Sequence, residues 1–150
     1  MSQPTDVRPI GCALYFLPVR TRIPLKFGHE IVTGVICARA RVRVVNRAGA
    51  EAEGWGETPL SVQWVWPSRA PYVEREEALK DFCLRLARAW STFAALGHPL
   101  EAGHDFQEGP LRDLLAALNT ERKGKGQEAM PWLAALVCCS AFDLALHDAF

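Results

Sequence analysis

The chain has 150 residues, 17 Lys+Arg against 17 Asp+Glu, 49% apolar residues and 23% charged ones. That length suits one domain, the apolar share excludes a disordered chain, and the even charge speaks against a nucleic-acid or membrane-surface partner, both of which need a basic footprint. A (β/α)8 barrel, at ~250 residues, does not fit.

The first residues, Met1-Ser2-Gln3-Pro4-Thr5-Asp6, lack the basic-then-apolar pattern of a targeting segment. The longest unbroken apolar run, Trp132 to Cys139, is far short of the ~20 residues that span a bilayer. Cys12, Cys37, Cys83, Cys138 and Cys139 form an odd set without C-x-x-C spacing. They read as small apolar residues in a reduced compartment, so a cytoplasmic location is expected.

Residues 10–17, Ile-Gly-Cys-Ala-Leu-Tyr-Phe-Leu, read as a first strand that Pro18 stops. An irregular loop is expected from Val19 to Glu30, broken by Pro24 and Gly28. From Ile31 to Val45 the pattern is a long strand. Arg39, Arg41 and Arg43 alternate with Ala38, Ala40, Val42 and Val44, so one face is wet and one buried. Asn46-Arg47-Ala48-Gly49 is a hairpin turn, and Ala50 to Glu57 is the returning strand. The expected register sets Arg43 opposite Glu51 and Arg41 opposite Glu53, which explains the arginine run as cross-strand ion pairs.

A second irregular segment holds Trp64, Trp66, Pro67 and Pro71. The period then turns helical: Leu79, Phe82, Cys83, Leu86, Trp90 and Phe93 follow an acidic first turn of Glu74, Glu76 and Glu77, and Gly97 with Pro99 ends the helix. A polar loop is expected around His98, Glu101, His104, Asp105 and Glu108. Pro99 and Gly103 interrupt any H-x-x-x-H face there, so a metal site is not expected. A short helix is expected from Pro110, with Leu111, Leu114, Leu115 and Leu118 as its stripe. Lys123-Gly124-Lys125-Gly126 reads as a solvated loop. The last helix begins at Pro131 and is apolar nearly all round. Its helical pattern is still running at Phe150, which reads as a fragment. Three strands followed by helices imply an α+β fold, a three-stranded antiparallel meander with a helical bundle packed on it.

Two motifs then line up. Gly54-Trp55-Gly56-Glu57-Thr58-Pro59 spells G-x-G-E-x-P at the end of the third strand. Ala141-Phe142-Asp143-Leu144-Ala145-Leu146-His147-Asp148 spells A-x-D-x-A-L-x-D in the last helix. With Thr21-Arg-Ile-Pro-Leu-Lys-Phe-Gly28 before the long strand, the series resembles the N-terminal capping domain of the enolase superfamily, in its mandelate racemase/muconate lactonizing enzyme branch. The resemblance covers nearly the whole chain. His147 departs from it, at a position where the family often has Trp.

The resemblance implies residues 1–130 as the capping domain and 131–150 as the last cap helix, leading toward a barrel absent from this chain. It implies that catalysis lies on that barrel, in a Mg²⁺-dependent racemase, epimerase, cycloisomerase or dehydratase of carboxylate substrates. No cofactor is then expected in the chain itself, which would be catalytically silent. The cap's two loops, Arg20 to Glu30 and Trp55 to Leu60, would contact the distal part of the substrate and exclude water. Lys26, Phe27, His29, Trp55 and Thr58 are the candidate substrate contacts; no catalytic or metal-ligating residue is expected. Glu57 reads as a structural hydrogen-bonding residue, and Asp143 and Asp148 as orienting groups at the cap–barrel junction. Lys123 and Lys125 are not the family's catalytic pair, which would follow the last helix. The expected partner is a small carboxylate substrate, with no nucleic acid, no membrane and a possible homo-oligomer. The alternative is a free-standing α+β binding or oligomerisation module without activity. A sheet that binds RNA through Arg39, Arg41 and Arg43 is a weaker third reading, since that strand carries no aromatic platform.

Overall fold

The computed structural model describes residues 3–27 and 30–150, with the backbone alone of Phe27 and Glu30. Three strands, β1 (Val7–Phe27), β2 (Glu30–Asn46) and β3 (Glu51–Pro59), form an antiparallel meander in the order β1-β2-β3. A short helix α1 (Val62–Val65) follows, then α2 (Tyr72–Thr92), α3 (Pro99–Phe106), α4 (Arg112–Gly124) and α5 (Trp132–Asp148). The α+β meander-plus-bundle architecture is the one the patterning predicts.

Alternation along β2 selects the faces. Ala38, Ala40, Val42 and Val44 are buried against the helices, while Arg39 and Arg43 stand on the outer face. The bundle core is filled by Leu79, Phe82, Leu86, Trp90, Phe106, Leu111 and Phe142, all fully buried. Trp90 stacks on Phe106 with ring centroids 4.0 Å apart. α5 is buried on Ala134, Ala135, Val137, Cys138, Cys139, Ala141, Phe142, Ala145 and Leu146. It packs chiefly on β3, so residues 131–150 belong to the same packed body as the sheet.

The structure corrects five expectations. The stretch from Val19 is not a loop: β1 continues through Pro24 to Phe27, and β2 begins at Glu30. Pro24 is absorbed by a bulge, because the pairing shifts from Arg20↔Gly34 to Leu25↔Val32. The hairpin register is displaced by two residues, with Arg43 opposite Glu53, Arg41 opposite Trp55 and Arg39 opposite Glu57. A three-residue turn, Arg47 to Gly49, is closed by Asn46 N–H donating to Ala50 O, and Gly49 has φ +84°. The ion pairs still form along the diagonal. Arg43 meets Glu51 at 2.6 Å and Arg41 meets Glu53 at 3.6 Å, within reach of long side chains.

The segment from His98 to Glu108 is helical rather than a loop. The His98 ring accepts from Leu100 N–H (3.2 Å), and Glu101 accepts from His98 N–H (3.4 Å), a capping box with an imidazole in the usual hydroxyl's place. Pro110 does not start a helix. It sits inside a π-turn, Gln107–Leu111, that joins α3 to α4, where its missing N–H is accommodated. The Trp- and Pro-rich connection is also ordered. Trp66 is buried, the Arg75 guanidinium donates to its carbonyl (2.5 Å), and Arg122 lies 4.9 Å over its ring while pairing with Glu74 at 2.8 Å.

Candidate functional site

Glycine at two alternate positions of β3 sets the geometry where both motifs meet. A Cβ at Gly56 would lie 2.1 Å from Ala141 O, and one at Gly54 would lie 2.2 Å from Ala149 N and 2.3 Å from Ala145 O. Ala141, Ala145 and Ala149 recur every fourth residue and so form a flat strip on one side of the helix. Strand and helix therefore touch backbone to backbone. Two polar contacts complete the junction. Trp55 N–H donates to the Asp148 carboxylate (2.8 Å), and the Thr58 and Ser140 hydroxyls are 3.1 Å apart. Asp148 holds the strand's free edge.

Trp55 projects to the outer face of the sheet and is 43% exposed. It stacks on Tyr15 from β1, with ring centroids 6.0 Å apart and planes 26° apart, and the Arg41 guanidinium lies 5.8 Å from its ring. Beside it an open groove of about 330 Å³ is lined by Arg39, Trp55, Gly56 and Glu57. Glu57 takes both Nε and Nη2 of Arg39, at 2.7 and 2.6 Å, so its part in this chain is an ion pair. Burial pushes the neighbouring Cys37 thiol up, Glu57 adds to the shift, and the thiol stays protonated. The groove offers a flat aromatic wall and Arg39, whose charge is already met by Glu57.

The candidate substrate contacts do not converge. Trp55 and Thr58 lie three residues apart on one strand and face opposite sides of the sheet. Thr58 turns to Ser140 on α5. Lys26 is exposed near the end of β1, opposite Ile31. Ile31 is ten positions along β2 from Arg41, the partner of Trp55. At ~3.3 Å per residue this separates Lys26 from Trp55 by roughly 30 Å. His29 and the Phe27 side chain lie outside the described residues. Tyr15 was missed by motif reading, although the β1–β2 register, which pairs it with Arg39, is the signal that reveals it.

Asp143 occupies the other side of α5. A Cβ on Gly103 would come 2.5 Å from its Oδ1, so α3 leaves room for the carboxyl only because residue 103 is glycine. Burial raises its pKa, and His147 at 3.9 Å counters the shift. Lys123 closes α4 on its exposed surface, and Gly126 turns the chain with φ +69°. Among the described residues no group of three or more His, Cys, Asp or Glu converges as a metal site. Among the same residues no helix is long and apolar enough to cross a membrane.

No family model matches the chain, and no curated protein does. Among solved structures it is similar to a dipeptide epimerase from Cytophaga hutchinsonii complexed with Mg and dipeptide D-Ala-L-Val, at 17% identity and TM-score 0.45. The match covers 95% of this chain and 29% of that one, so the chain spans less than a third of that enzyme's length.

Proposed function

We propose that the chain is the N-terminal capping domain of a Mg²⁺-dependent enzyme of the enolase superfamily, in the mandelate racemase/muconate lactonizing enzyme branch. The observation that carries the reading is the docking of its two end motifs. G-x-G-E-x-P and A-x-D-x-A-L-x-D, distant in sequence, join through Gly54, Gly56, Ala141, Ala145 and the Trp55–Asp148 bond. In this reading the motif residues are the parts that hold β3 to the helix leading into a barrel.

The cap would shield a small carboxylate substrate from water and shape its distal pocket. Trp55 would supply an apolar wall, while Lys26, roughly 30 Å from it, would offer a cation from the β1–β2 arm as a separate contact, and Thr58, turned to Ser140, would not share the pocket of Trp55. In this reading Mg²⁺ and the proton-transferring groups would belong to the barrel. The enzyme would act in the cytoplasm. A specific observation also favours an oligomerisation module as the second reading: the apolar side chains of the distal hairpin are exposed.

The coding sequence beyond Phe150 tests the proposal directly. An in-frame continuation with Lys-x-Lys on an early strand, then acidic residues at the ends of three successive strands, is expected. A stop codon at that point overturns the capping function in favour of the module. So does Mg²⁺-dependent exchange of a carboxylate's α-proton into D2O by residues 1–150 alone, because the reading makes the cap silent.

A further inference from the structure

Two surfaces at opposite ends of β1 complement each other. The distal β1–β2 arm, beyond Pro18, exposes Val19, Ile23, Leu25 and Ile31. Residues 19–34 carry three basic side chains, Arg20, Arg22 and Lys26, against one carboxylate, Glu30. A two-stranded ribbon of this kind is marginal by itself, and an apolar edge strand invites pairing. At the other end of β1, Val7 is bridged to Gly97. Beside that bridge a groove of about 290 Å³ is lined by Ala95, Leu96, Gly97, Glu101, Ala102 and Asp105. Leu96 in its lining is exposed, as is Leu100, the residue before Glu101. Residues 96–113 carry four carboxylates and one guanidinium. Arg112 is taken by Glu108, while among the described residues Asp105 meets only the His104 ring, at 3.5 Å.

The two surfaces cannot meet within one chain, because β1 holds Lys26 roughly 60 Å from the groove at ~3.3 Å per residue. We propose that two copies of this chain associate about a two-fold axis normal to the sheet near the middle of β1, so that each basic, apolar arm lies in the other's acidic, apolar groove. An antiparallel arrangement of the two edge strands sets residues 22–26 of one copy beside residues 7–11 and 96–105 of the other. Ile23 and Leu25 then cover Leu96 and Leu100, and Arg22 and Lys26 face Glu101 and Asp105. The symmetry is closed, as a repeated self-complementary contact requires.

The edge also shows why the contact lies at its ends. Leu60 N–H donates to Ile36 O at 2.8 Å, so the polar groups of Ile36 face β3. Its partner Pro18 therefore presents its backbone to the free edge, where it has no N–H to donate. Continuous strand pairing through the middle is blocked, which leaves the side chains of arm and groove to make the contact. Such an interface falls at the small end of the range, below ~1,200 Å² in total, and its dimer depends on concentration. The proposal does not rest on the capping function, and activity is not its readout.

Sedimentation velocity over a range of concentrations tests it. The chain is expected to shift from monomer to dimer as concentration rises, and added salt is expected to weaken the dimer. Arg22→Glu and Asp105→Arg, both at exposed positions, should each remain monomeric with an unchanged circular dichroism spectrum. An equimolar mixture of the two should recover a dimer, because both contacts of the mixed pair are again complementary. Lys26→Glu replaces Arg22→Glu if the latter disturbs the strand signal. A wild-type monomer at every concentration overturns the proposal. So does a dimer that survives both reversals, or a mixture that stays monomeric.

Discussion

At the β3–α5 junction, Gly54 and Gly56 bring a strand against Ala141, Ala145 and Ala149 with no space for a methyl group. In the β1–β2 arm, Ile23 and Ile31 are 65% and 69% exposed, and the pairing slips by a bulge around Pro24. The junction uses small residues so that backbones touch, and its two polar contacts are specific to Asp148 and Ser140. The arm uses large apolar residues that touch little. Side-chain size thus reports two different designs. Small residues mark a contact completed inside the chain, and large exposed ones mark a contact left for something else.

The largest expected effect breaks the junction. Gly56→Val drives its side chain into the backbone of α5, which cannot rotate away as a side chain would. The loss is expected to be about 3 kcal/mol or more, at the upper end for overpacking, and visible as a large fall in Tm. A variant within about 1 kcal/mol of wild type would show that β3 and α5 are not in contact as described. Next is Asp148→Ala, which leaves the Trp55 N–H on an exposed edge where water replaces the carboxylate. About 1 kcal/mol is expected in urea titration, with no change in m-value. A loss several times larger would mean that Asp148 organises more than this edge. The smallest effect is on the arm. Ile23→Thr should change stability by no more than about 0.5 kcal/mol, because the side chain is already in water. A larger cost at low protein concentration would mean that the arm is packed within a single chain.

Some of the molecule was legible before folding. Alternation along residues 38–44 chose the wet and dry faces of β2, since a strand has a period of two whatever its neighbours. The α2 stripe was equally local: Leu79, Phe82, Cys83, Leu86 and Trp90 are buried, and Phe93 is half-buried. Gly49 announced its turn because only glycine takes a positive φ without strain. The candidate site was legible only as motifs. That Gly54 and Gly56 answer Ala141 and Ala145 depends on a contact between distant segments, and no local pattern records it.

Tertiary structure decided the rest, in each case where long-range pairing outweighed a local signal. Pro24 and Gly28 read as loop markers, yet pairing with β2 carried β1 past Pro24 through a bulge. Pro110 read as a helix start, yet the packing of Phe106 and Leu111 in one core kept the chain helical across it. The outward turn of Trp55 and inward turn of Thr58 followed from the register, which separated residues that the motif had grouped. Sequence determined by itself the faces of its elements and the α+β order, because those follow from periodicity. Which residues meet, and the roughly 30 Å between Lys26 and Trp55, came only from the fold, since strand register is set by turn length and bulges.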